Sequence, residues 1–262
     1  MKKRHLVFSI LVCAMTHSVM ALPKLSPLFS DHMVIQQQTS APIWGTASPK
    51  KTVVITPSWN NEKITVKADT KGEWKAVLKT PQAGGPYNIT ISDGKSIVLK
   101  DILIGEVLLC SGQSNMEFPV KGWSQVLNAD QEVTEANHKN IRLLQIHKVT
   151  AEEPSHQVVA NSSTWQECSS QSVPEFSAVA YFFARELNQK TGIPVGVIDA
   201  TWGGSNIESW ISKNTLQYAP QFADSIARKD YHPWRNSPTA LWNGMIQPLV
   251  PMALKGFCWY QG

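Results

Sequence analysis

The sequence predicts a two-part α/β protein: a β-sandwich segment over residues 22–100, then a parallel sheet wound with helices from about residue 101. Three observations predict it. Residues 22–100 carry short alternating runs of strand length separated by turn signals. After Asp101, continuous apolar runs alternate with a helical stretch. The composition, 42% hydrophobic and 17% charged over 262 residues, is that of a folded globular chain and not of a disordered one.

The first residues belong to neither texture. Lys2, Lys3 and Arg4 precede the apolar run LVFSILVCAM, and Val19 and Ala21 sit at the small-residue spacing of a cleavage site. Residues 1–21 therefore read as a secretory signal peptide. The competing reading is a membrane anchor, but the apolar run is shorter than the roughly 20 residues a spanning helix needs. A secreted or periplasmic chain with no membrane partner after cleavage is expected. Part of the net charge of +4 sits in this leader, so the basic balance does not point to nucleic acid.

Cys13 lies in the leader, leaving Cys110, Cys168 and Cys258. An odd number cannot all pair within one chain, and no CxxC or His/Cys cluster suggests a metal, so no metal and no cofactor is expected. Cys110 and Cys258 fall in apolar runs and read as buried thiols, with a disulfide left open.

Along the first part, MVIQQ, APIWGTA, TVVITPSW, KITVKAD, EWKAVLK, YNITISD and SIVLKD are separated by SPKK, DTKGE, AGGP and SDGK. Many short strands at regular spacing predict a sandwich. Asp31 and His32 are adjacent and read as a turn pair.

In the second part, ILIGEVLLC, IRLLQIH (141–147) and VGVIDA (195–200) are apolar runs of the kind buried in parallel sheets. Between the last two, Phe176, Val179, Ala180, Phe183 and Leu187 mark one helical face, and Gly192 follows a lysine-bearing last turn as a C-terminal cap. A further strand, KGFCWY, begins at Lys255.

Ligands of parallel α/β sheets sit beyond the carboxyl ends of the strands. Three such ends carry polar or glycine-rich turns. Ser114 follows the strand ending at Cys110, where a hydroxyl would be exposed beside the free N–H groups of a helix start; an N-cap serine is the competing reading. Gly203-Gly204 follows VIDATW, and Gln261 follows KGFCWY.

LFSDHMVIQQ, GEVLLCSGQSNMEFPV, FSAVAYFFARELN, GVIDATWGGSNIESW and LWNGMIQPLVPMALKGFCWYQG together resemble the sialate O-acetylesterase family of SGNH hydrolases, in the same order, from about residue 23 onward. The resemblance implies a flavodoxin-like three-layer hydrolase domain over residues 101–262. It makes Ser114 the nucleophile and the N–H groups of Ser114 and Gly204 the oxyanion donors. Gln261 would add a third hydrogen bond, and Gln113, Asn115 and Gly203 would lie against the substrate. The implied partner is an O-acetylated sialic acid or another acetylated glycan, with acetyl-xylan as an alternative.

The sequence departs from that family in one respect. The resemblance places the general base in an Asp-x-x-His motif, and no such motif occurs in the 262 residues. Asp230 and His232 are two apart and read as a surface pair; His138, His147 and His156 precede the second block. A catalytic domain that stops short of its base is therefore expected, with little or no activity by itself. A non-catalytic remnant or glycan-binding protein is the reading of another class.

Overall fold

The computed structural model describes residues 23–158, 164–222 and 234–262. The expected signal peptide over residues 1–21 lies outside the described residues, as do Asp230 and His232.

Period-two alternation builds the first part from β1 (Lys24–Leu25), β2 (Val34–Gln36), β3 (Ser40–Thr46), β4 (Thr52–Pro57), β5 (Ile64–Lys67), β6 (Glu73–Lys79) and β7 (Gly84–Ser92). It is plainest in β6, where Trp74, Ala76 and Leu78 are buried between exposed Glu73, Lys75 and Lys79. Strands β1, β3 and β6 form one antiparallel sheet; β4, β5 and β7 belong to a second. Ile43 and Leu78 from the first sheet meet Ile55 and Ile91 from the second in one buried cluster. Each such side chain contributes about 1.5–3 kcal/mol when fully buried.

The second sheet does not stop there. Strand β8 (Ser96–Gly112) is a single run of 17 residues. Its first half pairs antiparallel with β7, and Leu103–Gly105 pair parallel with β2. Its second half takes β11 (Val195–Thr201) and β12 (Gly256–Tyr260) on opposite edges, both parallel. Outside β11 lies β9 (Asn137–Gln145), also parallel, and then β10 (Gln166–Ser169), antiparallel. Residue 100 falls within β8, so the sandwich and the parallel sheet share a strand.

Both faces of the parallel sheet are covered over β8, β9 and β11, whereas β12 leaves Phe257, Trp259 and Tyr260 exposed. Leu108, Cys110, Ile141, Leu143, Val195 and Val197 pack towards the helix α3 (Ala178–Thr191), two short helices, α1 (Ser114–Glu117) and α2 (Ala129–Glu135), preceding it in the chain. Val107, Leu109, Leu144, Ile198 and Ala200 face the other way, against Trp210, Leu241 and Met245. This is the three-layer flavodoxin-like arrangement. Helix α3 ends as expected: Gly192 is left-handed (φ 69°) and its N–H reaches Asn188 O.

The buried face of α3 differs from the expected one. Ala180, Tyr181 and Ala184 face the sheet, whereas Val179 and Phe183 are 38% and 46% exposed. The alanines allow close approach to the sheet, and Tyr181 supplies the large side chain between them. Apolar spacing alone does not distinguish this stripe from its neighbour.

Two polar clusters tie the parts together. Arg142, buried on β9, donates to Asp101 Oδ2 (2.6 Å), which also lies 2.7 Å from His32 Nδ1; Glu167 is 3.9 Å from Arg142. Burial opposes the Asp101 charge, yet the hydrogen bonds from Arg142 and His32 prevail and hold its carboxyl below the ordinary value. Asp31 and His32 are thus more than a turn pair. The second cluster surrounds Glu106, 8% exposed at the middle of β8. Gln36 Nε2 donates to its Oε2 (2.8 Å), Gln37 Nε2 to its Oε1 (2.7 Å), and Lys255 Nζ lies 3.5 Å away. Gln36 Oε1 in turn accepts from the Val107 N–H (2.9 Å), and Gln37 Oε1 from that of Ala83 (2.9 Å).

Burial opposes the Glu106 charge too, but the two glutamine hydrogen bonds and Lys255 outweigh it and lower its pKa. Its stabilising contribution is therefore complete above the unfolded-state value near ~4.3 and is lost as pH falls through the lower folded value. Glu106→Gln sets an amide where two amide donors already point. Urea unfolding at neutral pH should show a loss of about 1–3 kcal/mol, shrinking below pH ~4. An equal loss at both pH values would contradict the charge-based account.

Candidate active site

The carboxyl ends of β8, β11 and β12 lie side by side, and the turns that follow them meet. Gly112 closes β8, and Ser114 opens α1, half-buried, with Met116 inserted beneath it. Helix α1 is fixed from below. Ser177 Oγ donates to Met116 O (2.5 Å) and also caps α3 by accepting from the Ala180 N–H (3.1 Å). The Ala178 N–H bonds Phe118 O (2.8 Å). A four-residue helix has little stability of its own, so this docking holds Ser114 in place.

The turn after β11 comes up against the serine. A Cβ built on Gly203 would stand 3.5 Å from Ser114 Cβ and 3.0 Å from Glu117 Oε2, so a glycine permits this approach. The Gly203 N–H donates to Glu117 Oε2, and Glu117 Oε1 is paired with Lys148. Gly204 follows with φ 69°, the left-handed region that favours glycine. Among the described residues, the N–H groups of Ser114 and Gly204 have no acceptor, and the Ser114 hydroxyl has no side-chain partner.

The other expected site residues are also near this edge. Gln261 Nε2 donates to Ser205 O (2.9 Å), which ties β12 to the glycine turn and engages the amide expected to serve substrate. Its Oε1 is buried without a partner. Gln113 donates its side-chain amide to Gly262 O, and Asn115 is exposed beside Gly262. Gly203 contributes its close approach to Ser114 while its N–H serves Glu117.

Sequence reasoning missed four charged groups here. Glu117 and Lys148 form the pair just described. Arg235 lies against Gly204, its Nη2 3.3 Å from where a Cβ would be. Asp199, on β11, is 1% exposed; Thr201 Oγ1 donates to it at 2.7 Å and Gln145 Nε2 at 3.5 Å. A cavity of about 270 Å³ opens beside it, lined by Gln145, His147, Lys148, Glu175 and Thr201. A roomier cavity of about 320 Å³ lies elsewhere, between Trp44, Trp74, His156 and Gln247, and none of the expected site residues line it.

One group among the described residues brings three potential metal-ligating atoms within 4.8 Å: His32, Asp101 and Glu167. The Arg142 guanidinium already supplies the positive charge there. The three cysteines among the described residues are free thiols; Cys110 and Cys258 stand opposite each other on β8 and β12, and Cys258 is half-buried where its apolar run predicts a buried thiol. A hydrogen bond from Cys110 draws the Cys258 thiol down to about 7, and the Cys110 thiol is correspondingly pushed up. No described helix is long and apolar enough to cross a membrane.

Comparison with known proteins adds to this geometry. Residues 105–262 match the family model of carbohydrate esterases described as sialic acid-specific acetylesterase. The chain is 31% identical to the sialate O-acetylesterase of Homo sapiens over 255 residues, which is 91% of this chain and 48% of that protein. It is 30% identical to the Mus musculus protein of the same name, covering 91% and 51%. A crystal structure of a carbohydrate acetylesterase from Xanthomonas citri superimposes with a TM-score of 0.78 at 36% identity, over 92% of this chain and 51% of that one. The chain thus spans about half the length of these relatives.

Asp199 gives a test of the site's electrostatics. Burial, aided by the nearby Glu117 charge, raises its carboxyl to about 6, against the hydrogen bonds from Thr201 and Gln145. Because the folded state holds the proton more tightly than the unfolded one, the contribution of Asp199 to stability falls as pH rises from ~4 to ~6. Asp199→Asn does not titrate. Its stability relative to the parent chain should therefore rise across that window by ~3 kcal/mol, followed by denaturant unfolding at pH 4, 5, 6 and 7. A difference independent of pH would show that the folded state does not raise the Asp199 carboxyl above its ordinary value.

Proposed function

The chain belongs to the sialic acid-specific acetylesterase family of carbohydrate esterases, and on that premise we propose that it removes O-acetyl groups from sialic acids through an acyl-enzyme on Ser114. The observation that carries the reading is the approach of the Gly203-Gly204 turn to a half-exposed serine at the end of β8. In this reading Ser114 Oγ attacks the acetyl carbonyl carbon, and the negative charge that develops on the carbonyl oxygen is met by the N–H groups of Ser114 and Gly204. Preorganised donors of this kind typically contribute about 10²–10³ in rate each. Collapse breaks the bond to the sugar oxygen, which leaves as a hydroxyl by taking up the proton that Ser114 lost; water then attacks the acetyl-serine, releasing acetate and returning a proton to Ser114 Oγ.

Glu117 supports this arrangement from the side. It fixes Gly203 through the backbone N–H, and Lys148 neutralises it. A carboxylate left unpaired beside a developing oxyanion would oppose the reaction, so the pairing with Lys148 matters for rate as well as for position. Gln261 secures Ser205 at the far end of the same turn.

The proton on Ser114 has no acceptor among the described residues. General-base assistance is worth on the order of 10²–10⁴, so we propose that the 262-residue chain by itself is a slow catalyst whose site is otherwise assembled. We further propose export through the leader over residues 1–21. The Xanthomonas citri carbohydrate acetylesterase, at 36% identity, favours one second reading, an acetylated carbohydrate other than sialic acid as substrate, for which acetyl-xylan is the test compound.

Acetate release decides between these readings. O-acetylated N-acetylneuraminic acid and acetylated xylan are incubated with the chain and with Ser114→Ala, with and without imidazole as an external base. The expected result is slow release from the sialic acid, raised by imidazole and lost in Ser114→Ala. Release that persists in Ser114→Ala would remove the serine mechanism, and release from xylan alone would replace sialic acid as the substrate.

A further inference from the structure

Arg235 stands against Gly204, the second glycine of the turn whose first glycine meets Ser114. Its guanidinium packs against Gly204, with Nη2 3.3 Å and Nε 3.6 Å from the position a Cβ would take. It also lies over the Trp234 ring, 4.6 Å from the centroid. Among the described residues it has no carboxylate partner and no hydrogen bond, and its Nε is buried and unpartnered. A buried donor without an acceptor carries a free-energy cost that a bound anion would remove.

The placement is built into the fold. Asn236 Oδ1 accepts from the Asn206 N–H (3.0 Å), and the Thr239 N–H bonds Glu208 O (3.0 Å), so the segment carrying Arg235 is held against the chain that follows the glycine turn. Trp234 and Ser237 close a local turn through two hydrogen bonds, Trp234 N–H to Ser237 Oγ (3.1 Å) and Ser237 N–H to Trp234 O (2.8 Å). The arginine is therefore positioned before any ligand arrives.

Gln261 secures the far end of the same turn, its nitrogen tied to Ser205 O (2.9 Å). The turn thus carries a fixed cation beside Gly204 that has no carboxylate partner among the described residues. The ligand that answers it is an anion, and among sugars a sugar acid, whose carboxylate pairs with the guanidinium.

We propose that Arg235 binds the carboxylate of a sugar-acid substrate, so that the acetyl ester is presented to Ser114 beside the Gly203-Gly204 turn. The proposal rests on the sialic acid reading of the site and assigns the residue that would make the site select an acidic sugar over a neutral one. Guanidinium suits this task because it offers paired donors in a plane and keeps its charge at every physiological pH. Trp234, 56% exposed, supplies an aromatic surface beside the guanidinium.

The test is binding, which does not require turnover. N-acetylneuraminic acid and its methyl ester are titrated into the 262-residue chain and followed by saturation-transfer NMR. A charge-assisted pair is worth about 10- to 100-fold in affinity, so the acid should bind tighter than the ester by that factor. Arg235→Gln should bring acid and ester to the same weak affinity, whereas Arg235→Lys, which keeps the charge without the fork, should retain part of the preference. Equal binding of acid and ester by the unsubstituted chain, no binding of the acid, or an undiminished preference in Arg235→Gln overturns the assignment. The two readings fail separately. Ser114-dependent acetate release together with equal binding of acid and ester removes Arg235 and leaves the esterase reading, while acid-selective binding without release does the reverse.

Discussion

Everything in this molecule hangs on one strand, and that strand is held at its middle by a buried carboxylate. Glu106 lies where β8 leaves the sandwich and enters the parallel sheet. An isolated charge at 8% exposure would be strongly unfavourable. It is tolerated because Gln36 and Gln37 extend from the end of β2 to both of its oxygens, and because Lys255 stands just ahead of β12. The same glutamines return their own oxygens to the Val107 and Ala83 N–H groups. The interaction thus locks three separate stretches of chain to one point, and it fixes the registers on which the site depends.

From that point the geometry of the site follows. The carboxyl ends of β8, β11 and β12 come level because Gly112, Thr201 and Tyr260 are in register. Level ends put three turns within reach of one another, and the small residues in them let backbone approach backbone. Ser114, Gly203 and Gln261 are brought together by sheet pairing and not by local chain preference. The charged groups then settle around them: Glu117, paired with Lys148, at Gly203, Arg235 at Gly204, and Asp199 buried on β11.

The fold was largely legible because its signals are periodic. Alternation in β6 and unbroken apolar runs in β8 and β11 each have one simple structural reading. The continuity of β8 was not legible, because Lys100 and Asp101 look like the end of a strand. In the fold, Asp101 takes a left-handed backbone (φ 55°) and turns its carboxylate to Arg142 and His32, so a polar pair that reads as a break is a bridge. The expected stripe on α3 erred for a related reason: Val179 and Phe183 are as apolar as the residues that are buried, and only the sheet decides which face is used. At the site, Ser114 and the glycines announce themselves through local sequence. Glu117, Asp199 and Arg235 do not, since each owes its place to partners far along the chain. A glutamate three residues after a serine or an arginine in a polar loop carries no local mark of the contact it will make.

The shared strand also has a consequence for how the protein is made. The amino-terminal half of β8 can pair with β7 as soon as both leave the ribosome, because they are adjacent in sequence. The other half cannot. Leu108 waits for Val197 on one edge and for Gly256 on the other, so an apolar strand keeps open edges until those two later stretches have been made. Such edges are where chains pair wrongly with one another. A nascent chain of this design has its greatest need of a chaperone after its sandwich is complete and before its parallel sheet is, a window set by the order of strands along the polypeptide.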